Sequence, residues 1–201
     1  MRIRRRGDLA DGAVGAYSVL MDKFTRLLTV AALLALSACA GGPSLGPQPV
    51  IVNLADGPPS AEVFRAQDFA WSTAIGKGGI EGHVGFSFDG VRYTCKGAGV
   101  ILTPETLWSR KRISVLYNSP IASALPVEEV RARTPNAPSG DYSAFIRRST
   151  CDSADRFTFS TLPNGAWFAI LVAKPIGGKG PDMAIMKRVE IRGGRIVLVE
   201  L

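Results

Sequence analysis

Residues 156–173 decide the fold. They read Arg156-Phe157-Thr158-Phe159-Ser160-Thr161-Leu162-Pro163-Asn164-Gly165-Ala166-Trp167-Phe168-Ala169-Ile170-Leu171-Val172-Ala173. Phe157 and Phe159 alternate with Thr158 and Ser160, the period of a strand that buries one face. Leu162-Pro163-Asn164-Gly165 then supplies turn chemistry. Ala166 to Ala173 is apolar without a break, which suits a central strand covered on both faces.

The flanking segments carry the same period of two. Ile80, Gly82, Val84, Phe86 and Phe88 share one face, which predicts a single half-buried strand over residues 80–88. Asp89-Gly90 predicts a turn, Val91–Cys95 a second strand, and Val100-Ile101-Leu102 a short buried one. Next comes the one segment with helical punctuation. Thr103 is read as N-cap, Pro104 as the first helical residue and Glu105 as a carboxylate at the positive dipole end. Trp108, Val115 and Leu116 would point inward, and Asn118 with Pro120 ends the helix. Residues 119–140 read as a long loop in which Val127–Arg133 forms one helical turn. At the C-terminus, Gly193-Gly194 predicts a hairpin with Ile191 opposite Ile196, Val189 opposite Leu198 and Lys187 opposite Glu200. The fold expected is mainly β: an antiparallel β-sandwich with one short inserted helix.

The pattern Phe157-x-Phe159-x-x-Leu162-Pro163-x-Gly165-x-Trp167 resembles the carboxypeptidase regulatory-like domain, a transthyretin-like β-sandwich of secreted and cell-envelope proteins. Two inward aromatics lead into a tight Pro-x-Gly corner, and the aromatic on the next strand packs on them. Gly82-x-Val84 resembles the opening strand of that family, Gly99–Leu102 its second, and Val189–Leu201 its closing hairpin. The likeness covers roughly residues 80–104 and 141–201. Two departures stand out. Asp155 occupies the turn where the family usually has Gly, although Asp tolerates the left-handed region better than most residues. The stretch 104–140 also exceeds the family's usual short connection. The resemblance implies no catalytic residue and no cofactor, because this module accompanies a zinc peptidase domain without contributing to its chemistry.

The chain has 201 residues, three cysteines, one histidine and a formal charge of +7. That length fits one main domain, and the scarcity of His and Cys leaves little material for a zinc or iron–sulfur centre built from them. The start of the chain reads as addressing. From Met21, Lys23 and Arg26 precede the apolar run Leu27–Leu36. That run falls short of the ~20 residues that cross a bilayer, so it reads as a signal peptide over residues 21–38. Leu36-Ser37-Ala38-Cys39 resembles a bacterial lipobox, which implies cleavage before Cys39 and lipid attachment to its thiol. The bland alternative is an ordinary secretory signal whose Cys39 joins a disulfide. Residues 1–20 fit neither reading and are expected to be a start-codon extension. Residues 39–60 are rich in Gly and Pro and read as a tether, with residues 61–201 as the sandwich. Under enterobacterial-type sorting, which this resemblance to a lipobox would bring with it, Ala40 rather than Asp after Cys39 implies the periplasmic face of the outer membrane over inner-membrane retention.

A mature chain from Cys39 would have 163 residues. Its charge would be +4, since residues 1–38 hold six basic and three acidic side chains. With Cys39 lipidated, Cys95 and Cys151 form an even pair, expected as a disulfide in an oxidising compartment. His83 stands alone on a polar strand face, with no nucleophile motif in sight. Asp152 and Asp155 bracket a turn and fall short of a calcium shell. The basic clusters Arg110–Arg112, Arg131/Arg133, Arg147-Arg148 and Lys187-Arg188 read as solvated faces. No nucleic-acid motif accompanies them. The function expected is a non-catalytic envelope lipoprotein, held on the membrane through Cys39, that binds an envelope protein or glycan. The alternative weighed against it is an envelope hydrolase or carbohydrate-processing enzyme.

Overall fold

A computed structural model describes residues 57–201. The proposed start-codon extension, the signal peptide, Cys39 and nearly all of the tether, including its apolar island Val50-Ile51-Val52, lie outside the described residues. Among those described, the α-helices are α1 (Ala66–Phe69), α2 (Leu107–Tyr117) and α3 (Val127–Arg133), with short 3-10 turns at Ala70–Thr73, Thr134–Asn136 and Ser143–Phe145. The strands are β1 (Gly78–His83), β2 (Ser87–Phe88), β3 (Val91–Thr94), β4 (Gly99–Pro104) and β5 (Ala122–Pro126). They continue with β6 (Arg147–Thr150), β7 (Arg156–Leu162), β8 (Gly165–Pro175), β9 (Met183–Ile191) and β10 (Ile196–Glu200).

The chain is mainly β and builds a sandwich. A three-stranded sheet has the order β10-β1-β7. A seven-stranded sheet is centred on β8, with β4 and β3 along one side and β9, then β5, along the other. Ile80, Phe157, Phe159 and Leu162 from the small sheet meet Leu102, Trp167, Leu171 and Ile191 from the large one in a single buried core. On the opposite face of β8 and β9, Phe168, Ala184 and Met186 are buried with Ile113, Leu116 and Tyr117 of α2. The uninterrupted apolar run 166–173 therefore does what it predicts: odd residues fill the sandwich and even residues meet the helix.

The quoted motif turns a corner between the sheets. Phe157 and Phe159 point inward from β7, and Leu162 does too despite its opposite parity. Thr161 makes this possible by taking φ of 56°, which shifts the strand by one residue. A β-branched residue is rarely found there. The matching irregularity on β1 falls between Gly78 and Ile80. Two glycines follow from close packing. A Cβ on Gly82 would lie 2.0 Å from the Phe157 ring, its partner across the ladder. Gly165 has φ of 145°, and a Cβ there would lie 2.3 Å from the Trp71 ring. That ring packs edge-on against Trp167 at 5.0 Å.

Four sequence expectations are corrected. First, residues 80–88 are two strands. β1 ends at His83; Val84 N–H donates to Asp155 and Gly85 N–H to Leu201, and the chain crosses to the large sheet as β2. The expected Asp89-Gly90 turn does form, with both residues at positive φ, and joins β2 to β3. Second, Thr103 and Pro104 finish β4, and the N-cap is Thr106. Its hydroxyl accepts from Ser109 N–H at 3.1 Å while Ser109 Oγ accepts from Thr106 N–H at 2.8 Å, a reciprocal capping box. The helix ends at Asn118, in the left-handed conformation. Third, residues 119–140 are not one loop: Ala122–Pro126 forms β5, paired with β9, while the expected helical turn at Val127–Arg133 is present as α3, so the insertion holds β5 besides α2 and α3.

The fourth correction concerns the C-terminal hairpin. Gly193 and Gly194 both have positive φ, as a tight turn requires, yet β10 does not return along β9. It pairs in parallel with β1, Val197 opposite Ile80 and Val199 opposite Gly82. The sandwich is thus antiparallel except at this pair. Gly194 N–H donates to Asn164 Oδ1 at 2.8 Å, fixing the turn to the corner between β7 and β8. From there β10 enters the small sheet. The alternation of Ile196–Glu200 serves either pairing, so only the long-range contact decides.

Candidate functional site

The expected disulfide joins Cys95 and Cys151, whose Cα atoms are 5.7 Å apart. Cys95 follows β3 and Cys151 follows β6, so the bridge ties the two strand ends together. Beside it, Asp155 has φ of 59°. Its Oδ1 accepts from Thr94 Oγ1 at 2.5 Å, Cys95 N–H at 2.8 Å and Lys96 N–H at 3.1 Å. Asp152 accepts from Ala154 and Arg156 N–H groups, and these backbone bonds hold its carboxyl below the ordinary value. Both carboxylates are thus turn builders, as their positions predict. Asp155→Ala should cost about 2–3 kcal/mol, since backbone donors lose a charged acceptor. Asp155→Asn should cost less, because it keeps an acceptor and tolerates the same φ. Urea unfolding of the two variants would check this.

The candidate site is a charged surface on the outer face of β10-β1-β7. The ladder places Glu200, His83 and Arg156 in one row and Leu198, Glu81 and Thr158 in the next. His83 Nδ1 lies 3.0 Å from Glu200 Oε1, and both side chains are about half exposed or more. An open depression of about 400 Å³ is lined by residues that include Glu81, His83, Arg156 and Glu200, and its lining holds no hydroxyl or thiol. Within this lining, a histidine and a carboxylate without a hydroxyl or thiol beside them can hold charge and hydrogen bonds. They do not form a Ser-His-Asp arrangement. Among the described residues, no group of three or more His, Cys, Asp or Glu side chains could hold a metal ion. Nor is any described helix long and apolar enough to cross a membrane.

The basic clusters are largely engaged with their neighbours. Glu105, predicted as a dipole partner, instead lies before the N-cap and accepts from Arg110 at 2.6 Å and Arg188 at 2.7 Å. Hydrogen bonding to Glu105 raises Arg188 above its ordinary value. Arg192 bonds Glu190 and lowers its carboxyl. Arg112 lies 5.8 Å from the ring centroids of Trp108 and Tyr142 and donates to Pro138 C=O at 2.6 Å. Arg131 and Arg133 pair with Glu128 and Glu129 on α3, while Arg147 donates to Ser72 C=O. Arg148 is exposed on β6.

Of the residues singled out by sequence, Phe157, Phe159, Leu162 and Trp167 are all buried at the corner. Pro163 and Gly165 form its bend. Cys39 lies outside the described residues. Sequence reasoning missed the Glu200–His83–Arg156 row because its three members come from three strands brought together only by the β1–β10 pairing. It also missed the exposure of Ile196 and Leu198, 61% and 78%, which a hairpin would have buried.

No protein-family model matches the chain, and no curated protein matches it in sequence. Solved structures do. A candidate carbohydrate-binding protein of Pseudomonas aeruginosa aligns at 21% identity over 71% of this chain and 100% of its own, with a TM-score of 0.51. A minor pilin of Streptococcus agalactiae aligns at 12% identity over 61% of this chain and 48% of its own, with a TM-score of 0.27. The first of these likenesses shows a shared fold.

Proposed function

We propose that this chain is a lipid-anchored, non-catalytic binding module of a bacterial cell envelope, on the periplasmic face of the outer membrane. The observation that carries the reading is how the cysteines divide. Cys95 and Cys151 are joined within the sandwich, which suits an oxidising compartment. Cys39 is left outside that bridge, at the one position where Leu36-Ser37-Ala38 would direct lipid attachment. Several acyl chains at ~0.8 kcal/mol per buried CH₂ make such an anchor durable.

The sandwich is read as a carboxypeptidase regulatory-like domain. The packing of Phe157, Phe159 and Trp167 at a Pro-x-Gly corner supports this. A binding role rests on the open charged face of the small sheet, where Glu200, His83 and Arg156 present both charge signs and hydrogen-bonding groups. The description of the Pseudomonas aeruginosa protein favours a glycan as partner, and an envelope protein is the other candidate.

Cys39→Ser in the full chain tests the anchor. The substituted chain should take up no labelled palmitate and should keep residues 21–38, because removal of the signal follows alkylation of the thiol, with the disulfide and thermal midpoint of the domain unchanged. Palmitate labelling of Cys39→Ser equal to that of the parent, or removal of residues 21–38 from it as efficiently as from the parent, would overturn the reading.

A further inference from the structure

The free strands of this sandwich differ in how they are protected. β6 exposes Arg147 and Arg148, β5 is short and ends in Pro126, and β7 turns Arg156, Thr158 and Ser160 outward. Charge, proline and polar side chains are the usual means of keeping a strand edge from pairing. β10 has no such protection over Ile196–Leu198. It is an edge strand of the small sheet, and both outward aliphatics are well exposed.

Its backbone is available as well. Gly79 N–H donates to Arg195 C=O, and Leu201 N–H donates to His83 C=O. The odd-numbered residues of β10 therefore bond to β1. In a parallel ladder the even-numbered residues then present their N–H and C=O groups to the other side. Glu200 confirms this geometry, since its C=O accepts from Lys187 Nζ at 2.7 Å, outside the ladder. Ile196 and Leu198 are left with edge groups facing an open groove of about 610 Å³ between β10 and the Glu190–Arg192 end of β9.

We infer that β10 pairs antiparallel with β10 of a second copy of this chain, joining two small sheets into one of six strands. The occupant follows from how the strand is charged and patterned. Its positive groups, Arg192 and Arg195, precede the apolar pair, and Glu200 follows it. An antiparallel copy brings the basic end of each strand toward the acidic end of the other, whereas a parallel copy would set like charges together. A two-fold axis at Val197 places Ile196 opposite Leu198 of the other copy, twice over. That register covers all four exposed aliphatics and uses the free edge groups of Ile196 and Leu198. It leaves Glu200 with Lys187.

Cysteine crosslinking of the full chain in its membrane tests this register. Val197 lies on the proposed axis in a non-hydrogen-bonded pair, where opposing Cα atoms are ~4.5 Å apart. Val197→Cys should form a disulfide dimer under mild oxidation at least tenfold faster than Val199→Cys, which the register sets opposite Arg195. Adding Ile196→Lys and Leu198→Lys should abolish the Val197→Cys dimer while leaving the thermal midpoint near that of the parent, because both positions are exposed. Equal crosslinking at 197 and 199 would overturn the inference. So would no dimer at 197, or a dimer indifferent to the two lysines, including the case where the edge is occupied by a different protein.

Discussion

Replacing Cys95 and Cys151 together with alanine is expected to lower the thermal midpoint of the domain by roughly 10–15 °C. The bridge spans 56 residues of sequence, and closing such a loop restricts the unfolded chain by about 4 kcal/mol on the loop-entropy account. Within the native fold it holds the end of β3 against the end of β6, in the neighbourhood where Asp155 already ties Thr94, Cys95 and Lys96 together. That second tie should preserve the native arrangement after the bridge is lost, so the double variant should fold and melt cooperatively. Calorimetry of the double variant beside the parent would check it. A shift under about 3 °C would mean that the unfolded chain is already restrained near these residues.

Trp167→Ala should be comparably damaging, at about 3–5 kcal/mol. Trp167 is fully buried near the start of β8, where it faces the core of the sandwich from the large sheet while Trp71 packs edge-on against it. Removing the indole leaves a void bounded by strands on both sides, and neither sheet can collapse into it without breaking ladder bonds. Urea unfolding should show a lower midpoint with an unchanged slope, which would separate lost packing from a change in the unfolded state. Trp71→Ala should cost less, because Trp71 is only partly buried.

Local chemistry explains what the sequence made legible. The Asp89-Gly90 turn, the left-handed Asp155, the doubly covered β8 and the corner at Leu162–Gly165 depend on residues close in the chain, so their side chains announce them. Pairing depends on partners far away. The segment 189–201 has a strong turn and alternating strands, which suit a hairpin as well as a crossover. Competition for β1, and the Asn164 anchor on Gly194, decide between them. The same limit hid the sheet switch after His83, where two alternating strands run on in phase. The N-cap moved from Thr103 to Thr106 because β4 continues to Pro104 against Trp167, a tertiary contact that local capping preferences do not register. The candidate site was the least legible element, since the Glu200–His83–Arg156 row exists only once β10 lies beside β1. The disulfide was legible from counting alone, given an oxidising compartment.

The anchor at Cys39 and the bridge between Cys95 and Cys151 together make one claim about where this chain works. The most direct measurement is the intact mass of the mature protein purified from membranes, with fragmentation of its N-terminal peptide. The account predicts a chain beginning at Cys39 and carrying diacylglycerol on its sulfur, with the mass of the remainder two hydrogens below that of the reduced form. A chain that retains residues 21–38, or one that begins at an unmodified Cys39, would contradict it.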